Sequence, residues 1–222
     1  MAAFVVLGTS VLAAQERDQD RIQDQDRTKL VMVNGEMLEL RDRAENRLME
    51  KQTLADGTVI HPDGTYQTRG GERLRLQDGE CLDGDGIKYR NEYQYRYKVN
   101  QENKGLAQNQ VEERNQNRLH YMLVDGEMYR VENQFQNRLK SQINLADGST
   151  VNPDGTYQTR DRKQLKLHDG ECLNLDGQKF QNLHQQRKMM VQKNMQANKK
   201  MMKKTGVKKP VIKKKKGKKS SR

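Results

Sequence analysis

The sequence predicts a mainly β fold: two tandem, small antiparallel β-meander or hairpin domains, followed by a basic C-terminal tail that is helical or disordered. Three observations carry the prediction. Residues Lys29–Tyr89 align with His120–Phe180 at a constant offset of 91 without a gap, about half the positions being identical, and such a long fixed period marks duplication of a folding unit. Asx-Gly and Gly-Gly pairs punctuate each copy at the spacing of short strands, as hairpin turns require. Charge is segregated: Gly177–Arg222 holds 17 Lys and Arg and no acid, leaving 25 basic against 30 acidic residues before it, although the whole chain is +12.

In chain order, AAFVVLGTSVLAA (Ala2–Ala14) has the length of a signal-peptide core, too short to span a bilayer, and ends in small residues. Residues 1–14 are therefore expected to direct export to the periplasm or envelope, with the mature chain starting near Ala14 or Gln15. Gln15–Thr28 has almost nothing to bury and reads as a polar disordered spacer. VMV-NG-EML (Val31–Leu38) and MLV-DG-EMY (Met122–Tyr129) read as hairpins. The meander strands follow as TVIHP, TYQTR, ERLRLQ and ECL. The alternation in Arg73–Gln77 and Gln164–His168 points Leu74, Leu76, Leu165 and Leu167 at a thin core.

The first domain is placed at 29–99, since Tyr89, Tyr93, Tyr95 and Tyr97 are spaced for one face of a strand. A half-buried edge strand and a stacking platform for bases or sugars are the two readings of these tyrosines. A polar linker (100–119) and the second domain (120–182) follow. In the tail (183–222), a wheel at about 100° per residue gathers Leu183, Met190, Val191, Met195, Ala197, Met201 and Met202 on one side of a basic amphipathic helix that Gly206 ends.

An NG or DG hairpin, then L-x-DG, PDG-T, L-x-L-x-DGEC-L and a final DG, is carried by Gly35, Leu54, Gly57, Pro62, Gly64, Gly79, Cys81, Gly86 and their second-copy counterparts. This pattern resembles an uncharacterised domain family of bacterial envelope proteins. The resemblance implies location and fold without chemistry. It also implies that Cys81 and Cys172 are buried apolar side chains, because the cysteine occurs where there is no twin to pair with; the alternative is a disulfide between the copies.

The functional expectation is a non-enzymatic exported protein. No nucleophile has a base at motif spacing, and neither His61 (opposite Asn152) nor His168 (opposite Gln77) is repeated. No cofactor or small-molecule substrate is indicated. Asp83-x-Asp85-Gly86 is a calcium-loop fragment that two successive turns explain more cheaply. Lys199, Lys200, Lys203, Lys204, Lys208, Lys209, Lys213, Lys214, Lys215, Lys216, Lys218 and Lys219 point to an anionic membrane surface or another polyanion, with non-specific nucleic acid the partner if the chain is not exported. The alternative from another class is soft-metal binding, of the Cu(I) type, by Met189, Met190, Met195, Met201 and Met202 with a repeat cysteine.

Overall fold

The computed structural model describes residues 28–205; the segment expected to direct export, the expected spacer up to residue 27 and the lysines from Lys208 onward lie outside them. The first copy forms β1 (Thr28–Val33), β2 (Glu36–Arg47), β3 (Gln52–Thr53), β4 (Val59–Ile60), β5 (Thr65–Gln67), β6 (Arg73–Arg75), β7 (Cys81–Asp83) and β8 (Lys88–Tyr89). Helices α1 (Glu92–Glu102) and α2 (Gln108–Gln116) lead to the second copy. That copy repeats the series as β9 (Leu119–Val124), β10 (Glu127–Arg138), β11 (Ile143–Asn144), β12 (Thr150–Val151), β13 (Thr156–Gln158), β14 (Gln164–Lys166), β15 (Cys172–Asn174) and β16 (Lys179–Phe180). Helix α3 (Leu183–Thr205) closes the described chain.

The fold is mainly β and antiparallel, and the two copies interlock. A large sheet runs β16-β15-β1-β2-β10-β9-β7-β8, while β3–β6 and β11–β14 each make a small sheet. The hairpin of each copy thus pairs with the late strands of the other, β1 with β15 and β9 with β7. Reversing the large-sheet order and exchanging the copies returns the same order, so an approximate two-fold axis lies between β2 and β10. On that axis Asp42 pairs with Asn133, its own counterpart in the second copy, at an irregularity in the ladder.

The recurring motifs are spent on this exchange. Asn34-Gly35 and Asp125-Gly126 take positive φ at both positions (52° and 75°; 51° and 80°), as type I′ hairpin turns demand. Asp169 Oδ1 accepts the Gly35 N–H at 3.0 Å and Asp78 Oδ1 accepts the Asp125 N–H at 2.7 Å, so each DGEC aspartate caps the other copy's hairpin. The motif glutamates Glu80 and Glu171 accept from Gln77 N and His168 N of their own loops.

Three layers result. On one face of the large sheet, Leu30, Met32 and Met37 pack with Leu145, Val151, Tyr157 and Leu167 of the second small sheet. Leu54, Ile60, Tyr66 and Leu76 of the first small sheet pack in turn with Tyr121, Leu123 and Met128. On the other face, Val31, Val33, Leu38 and Leu40 meet Leu183, while Met122 and Val124 meet Tyr95, Val99, Met190 and Val191 from the helices. The central strands are therefore covered on both faces, which is why β1 is buried throughout.

Two expectations fail. The segment with Tyr93, Tyr95 and Tyr97 is helix, not strand: Asn91 Oδ1 accepts the Gln94 N–H at 3.0 Å, and this N-cap overrides the alternating pattern. Leu74 and Leu165 stay exposed: they stand opposite Tyr66 and Tyr157 on the core side, but on the edge strands β6 and β14, where the cover runs out, and Leu76 and Leu167 just past those strands are the leucines that become buried.

Candidate functional site

Charged residues fill the centre of the molecule. Lys29 on β1, Asp42 and Glu45 on β2, Glu92 and Arg96 on α1 and Arg187 on α3 are each at most 3% exposed. Lys29 Nζ lies 2.8 Å from Asp42 Oδ2 and 3.0 Å from Glu45 Oε1. Arg96 reaches Asp42 Oδ1 at 2.9 Å and Glu92 Oε1 at 2.8 Å, and donates to Asn133 Oδ1 at 2.7 Å. Arg187 reaches Asp42 Oδ2 at 3.0 Å and Glu92 at 2.6 Å and 2.7 Å, and also pairs with Glu45. Three cations thus balance three carboxylates.

Burial alone would raise the carboxyl pKa of Asp42, but Lys29, Arg187 and Arg96 together hold it well below the usual range. Glu92 is likewise raised by burial and held low by Arg187 and Arg96. Burial works against the Arg187 guanidinium, and Glu45, Glu92 and Asp42 more than offset it, so its pKa is raised. His120, stacked at 4.5 Å on Tyr95 and 3.4 Å from Glu92 Oε1, is driven by burial down to about 4 and is neutral at pH 7.

This cluster binds α3 to the fold. The side chains of Leu183, Gln186, Arg187, Met190 and Val191 are buried; from Gln192 to Ala197 none is, and the helix continues through the positions of Lys199, Lys200, Lys203 and Lys204. The amphipathic stripe therefore divides. Its first two turns, Leu183, Met190 and Val191, face the protein core and not a membrane, because the large sheet needs a cover on that side. Consequently the basic tail as delimited from residue 183 is partly structural, and its solvent-facing part starts at Gln192.

The other sequence-derived candidates separate. Cys81 and Cys172 are free and lie in different clusters, Cys81 with Met122 and Tyr95, Cys172 with Val31 and Phe180, so they form no disulfide. Burial raises both thiols, Cys172 to about 12. Met190 is 2% exposed and Met189 packs beside Leu183 and Phe180, so these sulfurs are spent on packing; Met195 alone of the described methionine side chains in α3 is open. Asp83 is buried and its oxygens accept from Asp85 N, Ile87 N, Tyr89 OH and Lys98, which is the geometry of a turn. Among the described residues no group of three His, Cys, Asp or Glu side chains is arranged to hold a metal ion, and no helix is long and apolar enough to cross a membrane.

The ionic core escaped the sequence reading, though a signal for it exists. Continued past Phe180, the 91-residue offset pairs Asn91 with Asn182, Gln94 with Gln185 and Arg96 with Arg187. Both helices open alike: Asn182 Oδ1 accepts the Gln185 N–H at 2.8 Å, and Arg90 N and Gln181 N donate to Gln94 Oε1 and Gln185 Oε1. The repeat thus includes a helix, and an arginine repeated on a helix next to duplicated polar strand positions was the available clue.

No curated protein matches the chain, and no solved structure does. The model of one family matches residues 27–87 and again 118–178, together more than half of the chain, and covers β1–β7 and β9–β15. The chain therefore belongs to that family, a domain of unknown function (DUF6799), which it carries in two tandem copies.

Proposed function

We propose that this is a non-enzymatic, exported envelope protein whose interlocked β body presents a basic helix and tail to an anionic surface, membrane headgroups being the preferred one. The observation that carries the proposal is the continuity of α3: one helix is locked into the core by Arg187 and Met190 and then runs out of the fold into the lysine-rich end. Fourteen lysines between Lys188 and Lys219, with no acid among them, supply the attraction, through charge neutralisation that salt weakens. The methionines and Ala197 interleaved with them suit the interfacial placement of a basic amphipathic helix. A rigid junction fixes the direction in which the body stands off the surface, which a flexible tether does not do.

The test is sedimentation with vesicles of phosphatidylcholine alone or with phosphatidylglycerol, using the full chain and a variant ending at Ala197. The full chain binds only the anionic vesicles, and less as salt rises; the shortened chain keeps its melting temperature and loses binding. Undiminished binding by the shortened chain overturns the proposal. A deletion from Arg187 is uninformative, since it removes the helix's anchor in the ionic core. N-terminal sequencing of the exported protein, expected to begin near Ala14 or Gln15, tests the location.

A further inference from the structure

The outer faces of the two small sheets form a matched pair of open concavities. On the first, Val59, Gln67 and Arg73 pair across β4, β5 and β6. A second row joins His61, whose N–H donates to Thr65 O, to Thr65 and Arg75, and Lys51 stands just before β3 at the same rim. The hollow measures about 840 Å³, against about 450 Å³ for its counterpart on the second sheet. Every lining position of one is the other's at an offset of 91. The inner faces of these sheets are committed to the core, whereas no described part of the chain covers the outer ones.

The chemistry of the first face is specific. Its lining includes Lys51, Arg73 and Arg75 but no carboxylate, and none of the three makes an ion pair within 4.0 Å among the described residues; Asp63, beside the rim, feels Arg75 only at longer range. Elsewhere on the body several exposed cations are paired, Arg47 with Glu127, Lys88 with Glu80 and Lys179 with Glu171, whereas here three stand together around one hollow with no carboxylate in its lining. Between the cations lie amide and hydroxyl groups, Gln67 and Thr65, and the apolar Val59; Leu74, 38% exposed, stands opposite Tyr66 and so at the core-side edge of the sheet. The second face keeps Gln158, Thr156 and one cation, Lys166 at the place of Arg75, but carries Gln142, Asn152 and Gln164 in place of Lys51, His61 and Arg73.

We propose that the first face binds an acidic polysaccharide, and that the second is a weaker, mainly hydrogen-bonding subsite for the same polymer. Hydroxyl-rich sugar rings match the shared amides and hydroxyls of both faces, and uronate carboxylates match the unpaired cations of the first. Across four strands the face spans about 14 Å at the usual strand spacing, the scale of a short run of linked sugars. Nucleic acid fits less well: Tyr66, the one Phe, Tyr or Trp in this lining, is 6% exposed, which leaves only the small His61 ring for stacking. Two tandem subsites on one rigid body raise the apparent affinity for a polymer long enough to engage both.

The experiment is amide NMR of the full chain titrated with tetragalacturonate, with maltotetraose as neutral probe and a tetrathymidylate as phosphate probe. The comparison is the variant Lys51→Gln, His61→Asn, Arg73→Gln, in which each replacement is the residue the second copy carries at the same place, so the fold is kept and the tail is untouched. The acidic sugar gives saturable shifts at Val59, Gln67 and Arg73, and the variant binds it roughly tenfold or more weakly, as loss of charge-assisted contacts requires. Shifts confined to residues after Gln192, equal affinity in the variant, an equal response to maltotetraose, or tighter binding of the oligonucleotide at the same amides each overturn the proposal. Binding of the variant to anionic vesicles is unchanged, which separates this face from the tail.

Discussion

Replacing Arg187 with methionine keeps the packing stem in α3 and removes one charge from the ionic core. Arg187 meets Asp42, Glu45 and Glu92, and without it these three buried carboxylates face only Lys29 and Arg96. One negative charge is then uncompensated away from water, for which the expected loss is about 3–5 kcal/mol, a large part of the roughly 5–15 kcal/mol that holds a typical domain together. Equilibrium urea unfolding followed by circular dichroism at pH 7 reads the difference, with the variant ending at Ala197 as the control that changes nothing. Adding Glu92→Gln restores neutrality and should recover a substantial part of the loss. The pH dependence gives a second reading. Asp42 and Glu92 have depressed pKa values in the fold, so their stabilisation is present above the ordinary 3.8 and 4.5 and is lost as pH falls through the folded values. Without Arg187 that depression shrinks, and the gap between wild type and variant narrows in acid. A cost below about 1 kcal/mol at pH 7, the level of exposed ion pairs, would refute the assignment of this cluster as the anchor of the helix.

Other outcomes follow from the same geometry. His120, lowered by burial from 6.5 to about 4, stays neutral in the fold while the unfolded chain takes up its proton, so stability should fall by about 3 kcal/mol between pH 6.5 and 4; His120→Asn flattens that part of the profile in pH-dependent melts. Cys81 and Cys172, both 0% exposed, should resist a thiol-specific reagent in native buffer and react together only in denaturant; prompt labelling of either contradicts its place in the core. At Gly64 an added Cβ would come 2.6 Å from Leu123 Cδ1, whereas at Gly148 nothing lies within 4 Å. Both have positive φ, so Gly64→Ala should cost about 1–3 kcal/mol more than Gly148→Ala in the same unfolding assay.

The strands were legible because their turns are chemically marked: Asn34-Gly35 and Asp125-Gly126 declare hairpins, and Asp63 and Asp154 each bond the N–H and hydroxyl of the threonine two residues on. Local chemistry of that kind survives in the sequence as a short word. Partnership does not. Nothing within β1 says that it pairs with β15 and not with β7, and the DGEC aspartates cap turns 134 and 47 residues away. Helix α1 was misread for a related reason: tyrosine at alternate positions mimics a strand, while the buried faces that decide the matter, Tyr95 and Val99 on one side and Glu92 with Arg96 on another, exist only once the sheet is present. The ionic core was least legible of all. Asp42 and Glu45 stand in a polar run, RDRAEN, that reads as solvated, and only the two-fold pairing of β2 with β10 buries it.

That pairing also explains why the copies differ most where they meet. A residue beside a two-fold axis confronts its own duplicate, so identical copies would bring two aspartates together at the Asp42 and Asn133 pair. Here the first copy holds Lys29, Asp42 and Glu45 where the second holds His120, Asn133 and Gln136, all neutral at pH 7, while Arg96 and Arg187 are kept in both. Without a further change the centre would carry one excess positive charge. Glu92, which stands where the second copy has Leu183, supplies the missing carboxylate and bonds both arginines. Neutrality of a buried cluster is thus preserved across four divergent positions, as the cost of an unpaired interior charge demands. The divergence has a directional consequence. Because only the second helix is continued outward, by lysines and not by the α1–α2 turn, a body with near two-fold symmetry inside has a single basic exit among the described residues, and its first and second sheet faces stand in different relations to that exit.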